Sequence, residues 1–435
     1  MKILEIPSFS LDALCHLNAQ RYPFLLESVS HNGNNRYSIL FAHPQQEIIL
    51  KRLQDFDFLD ALSSQIKNSH FQPSDLPFIG GWFVYLSYEL AGQIEPALLK
   101  NMHNTSDLPI AVAVKIPCAV VFDHKLSKTY LLDEDDDQSR IDQVLSDIEQ
   151  AKTTEELSNF LGILKCDPGD KFLSGVEKIK NYIKAGDVFQ VNLSRAWYYT
   201  LKNNCSATQL YNALKKSNPA PFSALAQFQN FSIISSSPER LFSVDGDKVE
   251  TRPIAGTHPR GIGVEDEQLK QDLINHPKER SEHIMLLDLE RNDLGRVCEY
   301  GSIEVDEVMA LETYPYVHHI VSNIKGKLSP LTSIKHLVSA LFPGGTITGC
   351  PKIRCMQIIS ELEQEAREAY TGSLGYISNN GKIDFNILIR TLIKQEKNLS
   401  FRAGAGIVFD SNAQRELEET THKAQGILQV FSNKK

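Results

Sequence analysis

The 435-residue sequence predicts an α+β fold built on antiparallel sheets, and three observations point there. Strand-like runs (FSALAQFQ, FSIISSS, KVETRPIAGT, TGSLGYIS, DFNILIRTLI and LSFRAGAGIVF) cluster in the second half without the regular strand–helix alternation of a parallel sheet. Helical stretches at 171–185, 207–216, 268–295, 331–341 and 351–367 are interleaved with them. The first part adds strand-like runs at 79–90 (IGGWFVYLSYEL) and 108–124 (LPIAVAVKIPCAVVFDH).

Taken in order, the N-terminal MKILEIPSFSLDALCHL lacks a long apolar segment, and no stretch approaches the ~20 apolar residues of a membrane span. A cytoplasmic protein with no membrane contact is expected. The acidic run Asp133 to Asp137 reads as a solvated loop, and a polar helical stretch is expected from about Ile141 to Leu164. The turn cluster Asp167-Pro168-Gly169-Asp170 marks a boundary, giving an N-terminal segment over 1–140 and a second unit over 165–432. With 42% hydrophobic and 23% charged residues the chain is globular. A formal net charge of -9 without a Lys/Arg block argues against nucleic acid and anionic membranes as partners. The seven cysteines are scattered without CxxC spacing and read as reduced core thiols.

The sharpest chemical signal is a pair of acidic repeats, Glu279/Glu282 and Glu416/Glu419, each with two carboxylates three residues apart and so on one helix face. Pro277 fits the first turn of one helix, whose face continues into Met285, Leu286 and Leu289. Ser411 or Asn412 can cap the other, whose face runs through Lys423, Ile427 and Val430. Such pairs also occur on solvated helices. Part-buried acids need a cationic partner, however, and an all-oxygen donor set suits Mg²⁺ holding an anionic substrate. A magnesium-dependent enzyme acting on a carboxylate is expected.

In AGAGIV (403–408) the absence of side chains at Gly404 and Gly406 lets backbone amides approach a ligand, although strand glycines also mark bulges or tight packing. PGGTITGCPK (343–352) fails the GxxxxGK[ST] spacing of a phosphate loop. Arg390, in an otherwise apolar strand, suits bidentate carboxylate binding or a structural ion pair. In YPYVHHIVS at least one of His318 and His319 should face inward, as a core histidine rather than a catalyst. No Ser-His-Asp, Cys-His or HExxH arrangement stands out.

In order along the chain, GDVFQVNLSR (186–195), SPERLF (237–242), TRPIAGT (251–257), KERSEH (278–283), DLERNDLGRV (288–297), VHHIVS (317–322), PGGTITGCPK, TGSLGY (371–376) and AGAGIV resemble the motifs of the chorismate-utilising enzymes. That family includes anthranilate, aminodeoxychorismate, isochorismate and salicylate synthases, and the resemblance is strong over 170–430. It implies two interleaved subdomains around stacked antiparallel sheets with outer helices. It also implies Glu279 and Glu419 as direct Mg²⁺ ligands with Glu282 and Glu416 supporting the metal's waters. Arg390, Tyr370, Lys423 and the amides of Gly404, Ala405 and Gly406 would hold substrate carboxylates. Glu239 would be the general acid, His319 the active-site histidine, and Thr346 a contact to the ring substituents, with Thr257 beside the substrate.

Isochorismate and salicylate synthases carry a water-activating Lys where Gln190 stands, so Gln190 implies an aminating member. NPAPFSA (218–224) and PGG-x-ITG resemble the aminodeoxychorismate synthase branch, which implies folate biosynthesis. Many members of that branch have a nucleophilic lysine where Ala255 stands, whereas PIAGT resembles anthranilate synthase. The expected product is 4-amino-4-deoxychorismate, with Ala255 leaving room for direct attack by ammonia; anthranilate is the alternative, and a non-catalytic tryptophan-binding homologue a third. FLLESVS (24–30) resembles the tryptophan-pocket segment of both branches. No glutaminase signature is present, so a separate glutamine amidotransferase subunit is expected to supply ammonia.

Overall fold

The computed structural model describes residues 1–29, 36–66, 74–103, 106–151, 160–261, 263–313 and 317–432, with the backbone alone at 255, 257–259, 264, 265, 277–279 and 317. Among the described residues the strands gather into a 12-stranded and a 10-stranded sheet. Both halves of the chain contribute to each. Phe24–Glu27 pairs antiparallel with Phe222–Gln227 in the larger sheet, and Gly81–Leu86 pairs antiparallel with Ser373–Ser378 in the smaller.

The sheets stack face to face because their inward side chains are large and apolar. Phe24 of the larger sheet stacks on Phe83 of the smaller with ring centroids 3.9 Å apart, and Phe41 meets Phe78 and Tyr376. Helices close the outer faces. Ala207–Ser217, opened by a capping box between Ser206 and Gln209, buries Leu210, Tyr211 and Leu214 on the larger sheet. Phe58–Ile66 and Ile334–Leu341 bury Phe58, Leu62, Leu337 and Leu341 on the smaller one. This is the expected α+β architecture of interleaved halves around stacked antiparallel sheets.

The chain passes between the sheets at points that sequence patterning reads as continuous strand. Residues 108–124 split into Ala111–Ile116 of the smaller sheet and Cys118–Asp123 of the larger, with Pro117 at the break, where a proline has no N–H to give a ladder. Pro238 lies between Ser232–Ser237 and Arg240–Asp245 in the same way. DFNILIRTLI is likewise not one strand: Ile383–Asn386 belongs to the smaller sheet, Thr391–Gln395 to the larger, and Arg390 occupies the passage with a left-handed backbone, φ 52°.

Other expectations need correction. The acidic run is not simply solvated: Asp133 is fully buried, accepting from Arg140 Nε at 2.6 Å, and Asp137 caps the helix Gln138–Gln150. The helix expected over 141–164 stops there, and Gly162–Cys166 is a strand along Trp197–Leu201, because backbone pairing with that strand outweighs the polar helical pattern. The stretch 268–295 divides into Val264–Asn275 and Pro277–Gly295, since Pro277 starts a helix and cannot continue one. All seven cysteines are free, but only Cys15, Cys118 and Cys355 are buried, and Cys166 is exposed at the edge strand. Among the described residues no helix is long and apolar enough to cross a membrane.

Candidate active site

A cavity of about 800 Å³ lies where two of these passages run side by side. They are laced together. Ser237 Oγ donates to the Ile387 carbonyl at 2.5 Å, the Ile387 amide donates to the Glu239 carbonyl at 3.0 Å, and the Ser236 amide donates to the Arg390 carbonyl at 3.1 Å. Glu239 and Arg390, 151 positions apart in sequence, are thereby brought to one wall of the cavity.

The second wall is the pair of strands Gln190–Leu201 and Asn398–Ile407, in register with Asn192 opposite Gly406 and Ser194 opposite Gly404. The two-residue alternation turns Gly404 and Gly406 to the cavity and buries the Ala405 side chain among Val191, Leu193 and Ile407 on the opposite face. Glycine is required here for room rather than for backbone freedom. A Cβ on Gly404 would stand 2.6 Å from Asn192 Oδ1 and 2.7 Å from the Leu193 carbonyl, and one on Gly406 would stand 2.3 Å from Gln190 Nε2. The Gly404 carbonyl accepts from Lys423 Nζ at 3.1 Å, so the Gly404 amide, and by alternation that of Gly406, lies on the edge away from the Gln190–Leu201 strand.

Two helices complete the enclosure. Ala413–Leu428, capped by Asn412, presents Glu416, Glu419 and Lys423 to the cavity, with Ile427 and Val430 buried beyond them as the apolar stripe requires. Pro277–Gly295 presents Glu282, which accepts from Gln190 Nε2 at 2.9 Å, and buries Leu286 and Leu289. Thr346 enters from the 3-10 turn Gly345–Ile347, and Tyr370 from the turn before Ser373–Ser378. Twelve expected residues therefore meet in one cavity: Gln190, Glu239, Glu282, His319, Thr346, Tyr370, Arg390, Gly404, Gly406, Glu416, Glu419 and Lys423. The side chains of Glu279, Ala255 and Thr257 lie outside the described residues. The backbones of Ala255 and Thr257 pair with Ile320 and His319.

Burial sets the protonation of this cavity. Glu239 is pushed up to about 7 by loss of hydration, against the lowering pull of Thr346, a backbone amide and the charges of Lys423 and Arg390. His319 is driven down to about 3, first by burial and then by Arg390, so it is a neutral imidazole. The two histidines divide their roles: His319 lines the cavity, whereas fully buried His318 bonds Asp266 Oδ1 at 2.8 Å and Thr313 Oγ1 at 3.0 Å. Burial disfavours the Lys423 ammonium, and the Glu419 carboxylate 2.7 Å away more than offsets this.

Among the described residues no three carboxylates, imidazoles or thiols converge into a metal cluster. The donor chemistry nonetheless fits Mg²⁺, which keeps several waters and is commonly held by one or two carboxylates plus an anionic substrate. Glu282, Glu416 and Glu419 supply such oxygens from two helices on one cavity.

Sequence reasoning missed several groups. Asn192 lines the cavity two residues beyond Gln190, a spacing that puts both on one face of a strand. Arg367, 2% exposed, pairs with Glu363 and donates to the carbonyls of Asn192 at 2.7 Å and Ile347 at 3.2 Å, tying two cavity segments together. Behind Thr346, Thr251 donates to Glu290 at 3.1 Å and Lys352 to Asp293 at 2.6 Å; Glu290 is pushed up to about 8 by burial and then by Asp293. Lys352, the lysine of the phosphate-loop lookalike, is thus held in an ion pair.

The cavity thus gathers the cations Arg390 and Lys423 with the acids Glu239, Glu282, Glu416 and Glu419 on one lining. The chorismate binding enzyme profile matches residues 22–429, and the chain belongs to that family. It is a chorismate-utilising enzyme of the anthranilate and aminodeoxychorismate synthase type. An anthranilate synthase component I-like protein of Synechocystis sp. is 40% identical over 92% of this chain and 84% of the relative. Aminodeoxychorismate synthase component 1 of Bacillus subtilis is 42% identical over 80% and 76%. The crystal structure of anthranilate synthase component I from Streptococcus pneumoniae superposes with a TM-score of 0.82 at 33% identity, covering 91% of this chain and 93% of that one.

Proposed function

We propose that the protein is component I of an aminodeoxychorismate synthase, converting chorismate and ammonia to 4-amino-4-deoxychorismate. The observation that carries the chemistry is Glu239: a buried carboxyl titrating near 7, on the wall shared with Arg390 and beside Lys423, holds a proton that a departing hydroxyl needs. Arg390, Lys423, Tyr370 and the glycine-strip amides supply cationic and N–H contacts for carboxylates. Neutral His319 lines the cavity without adding positive charge, and Thr346 would contact the ring substituents. Glu279, Glu282, Glu416 and Glu419 would hold Mg²⁺, which when bound neutralises and orients a substrate carboxylate.

The choice of product rests on NPAPFSA and PGG-x-ITG in the sequence, together with the Bacillus relative. A second reading, anthranilate formation, is favoured by Ala255 and by relatives named anthranilate synthase. Incubating the chain with chorismate, ammonium and Mg²⁺ separates them. A nonfluorescent amine with the mass of aminodeoxychorismate supports the first reading, and fluorescent anthranilate with pyruvate overturns it. Relatives named as component I imply a partner. The chain alone should use ammonium salts, and glutamine only when an amidotransferase subunit is added.

A further inference from the structure

Arg367 and Glu363 meet behind the cavity, their side chains each 1% exposed, and neither lines it. Arg367 holds Glu363 by two parallel bonds, Nε to Oε2 at 3.0 Å and Nη2 to Oε1 at 2.6 Å. With its plane fixed in this way, the guanidinium donates to the carbonyls of Asn192 at 2.7 Å and Ile347 at 3.2 Å and lies 5.4 Å from the centre of the Tyr370 ring. Glu363 in turn accepts from the Ser194 amide at 2.9 Å, the Ser194 hydroxyl at 2.8 Å and Arg402 Nη2 at 3.3 Å. Asn192, Ile347, Tyr370 and Arg402 all line the cavity. They belong to separate segments: two neighbouring strands, the 3-10 turn that carries Thr346, and the turn before Ser373–Ser378. One buried ion pair therefore braces the cavity lining from behind.

Stability alone does not call for an ion pair here, because the desolvation of two buried ions cancels much of their attraction and an apolar pair of the same size serves about as well. What a guanidinium fork adds is direction, since neither carbonyl can slide without losing its bond. The backbone needs such restraint at Tyr370, which lies between Glu368 at φ 55° and Thr371 at φ 63°, the latter a β-branched residue in the left-handed region. The Arg367 and Glu368 amides are themselves held by Glu89, at 2.8 Å and 3.1 Å. Resting on the reading of this cavity as the chorismate site, we propose that Arg367 and Glu363 are positioning residues, which set the spacing of Asn192, Thr346 and Tyr370 around the substrate ring without touching it.

The test is steady-state consumption of chorismate, whatever the product, with the rate divided by the concentration of binding sites counted by isothermal titration with chorismate in the absence of ammonium. Arg367→Lys keeps the charge but gives up the fork that meets Glu363 and both carbonyls together. Its kcat per site should fall about 10- to 100-fold, the scale of a small misplacement of reacting groups, while the KM for chorismate stays within about threefold. A merely structural role would lower the number of sites and leave kcat per site at the wild-type value; that result, or a rise in KM alone, overturns the proposal. Should that variant fail to fold by circular dichroism, Glu363→Gln decides. It keeps the shape and loses the charge that fixes the guanidinium, so kcat per site should fall about tenfold, and wild-type kcat per site overturns the idea. A wild-type chain that consumes no chorismate overturns the functional reading and this proposal together; wild-type turnover per site in both variants overturns this proposal alone.

Discussion

Lys423 holds Glu419 one helical turn before it, with Nζ 2.7 Å from Oε1, and reaches across to donate to the Gly404 carbonyl at 3.1 Å. One ammonium thus links the acid-bearing helix to the glycine strip. Replacing Lys423 with Met should raise the chorismate KM by roughly 10- to 100-fold, the scale of one lost charge-assisted hydrogen bond. Isothermal titration with chorismate would check it, and unaltered affinity would remove Lys423 from substrate binding.

Glu239 works as an acid only while protonated. Its pKa is raised to about 7 by burial, so activity supported by this group should be full below that value and decline as pH rises through it. Glu239→Gln should cut kcat by roughly 10² or more and leave chorismate binding nearly intact. A variant with wild-type turnover would exclude the acid role.

Glu419 contributes an oxygen to the cavity beside Lys423. Chelation by EDTA should abolish turnover, and added Mg²⁺ should restore it in the wild type but not in Glu419→Ala. Full activity of the chelated enzyme would discredit the metal assignment.

Gly404 has no room for a methyl group, because a Cβ would press on the Leu193 carbonyl at 2.7 Å as well as on Asn192 and Tyr370. Backbone cannot yield as a flexible side chain does. Gly404→Ala should destabilise the fold by about 1 to 3 kcal/mol in denaturant titration and reduce activity further than that loss explains. A fully active, equally stable variant would show that the strip tolerates bulk.

Lys352 is a cation that acts on both buried acids, Asp293 and Glu290, whereas Arg296 acts on Asp293 alone. Lys352→Met would leave two buried carboxyls without it, at a cost of about 3 to 5 kcal/mol. Burial raises both acids and Lys352 pulls both back down, so removing it raises them further in the folded state, and the loss should grow as pH rises. Denaturant midpoints at pH 6 and pH 8 would show it, and equal losses at the two would contradict the argument.

Much of this site was legible in local pattern. Three-residue spacing placed Glu416 and Glu419 on one face, Asn412 and Pro277 marked helix starts, and the glycines of AGAGIV signalled close approach. Such features depend on neighbours within a turn or two, which is the range over which side-chain periodicity speaks. What the linear pattern did not contain was decided by partners far away in the chain. Gln190 meets Glu282 across 92 positions, and Glu239 meets Arg390 because two inter-sheet passages are laced together. Arg390 in a left-handed turn looked like strand because its neighbours are apolar, and they are apolar because both sheets bury them. Asp133 looked solvated because it sits among acids, until Arg140 folded over it. Local chemistry chose the residues of the cavity, and long-range burial and strand pairing set their protonation, their orientation and their company.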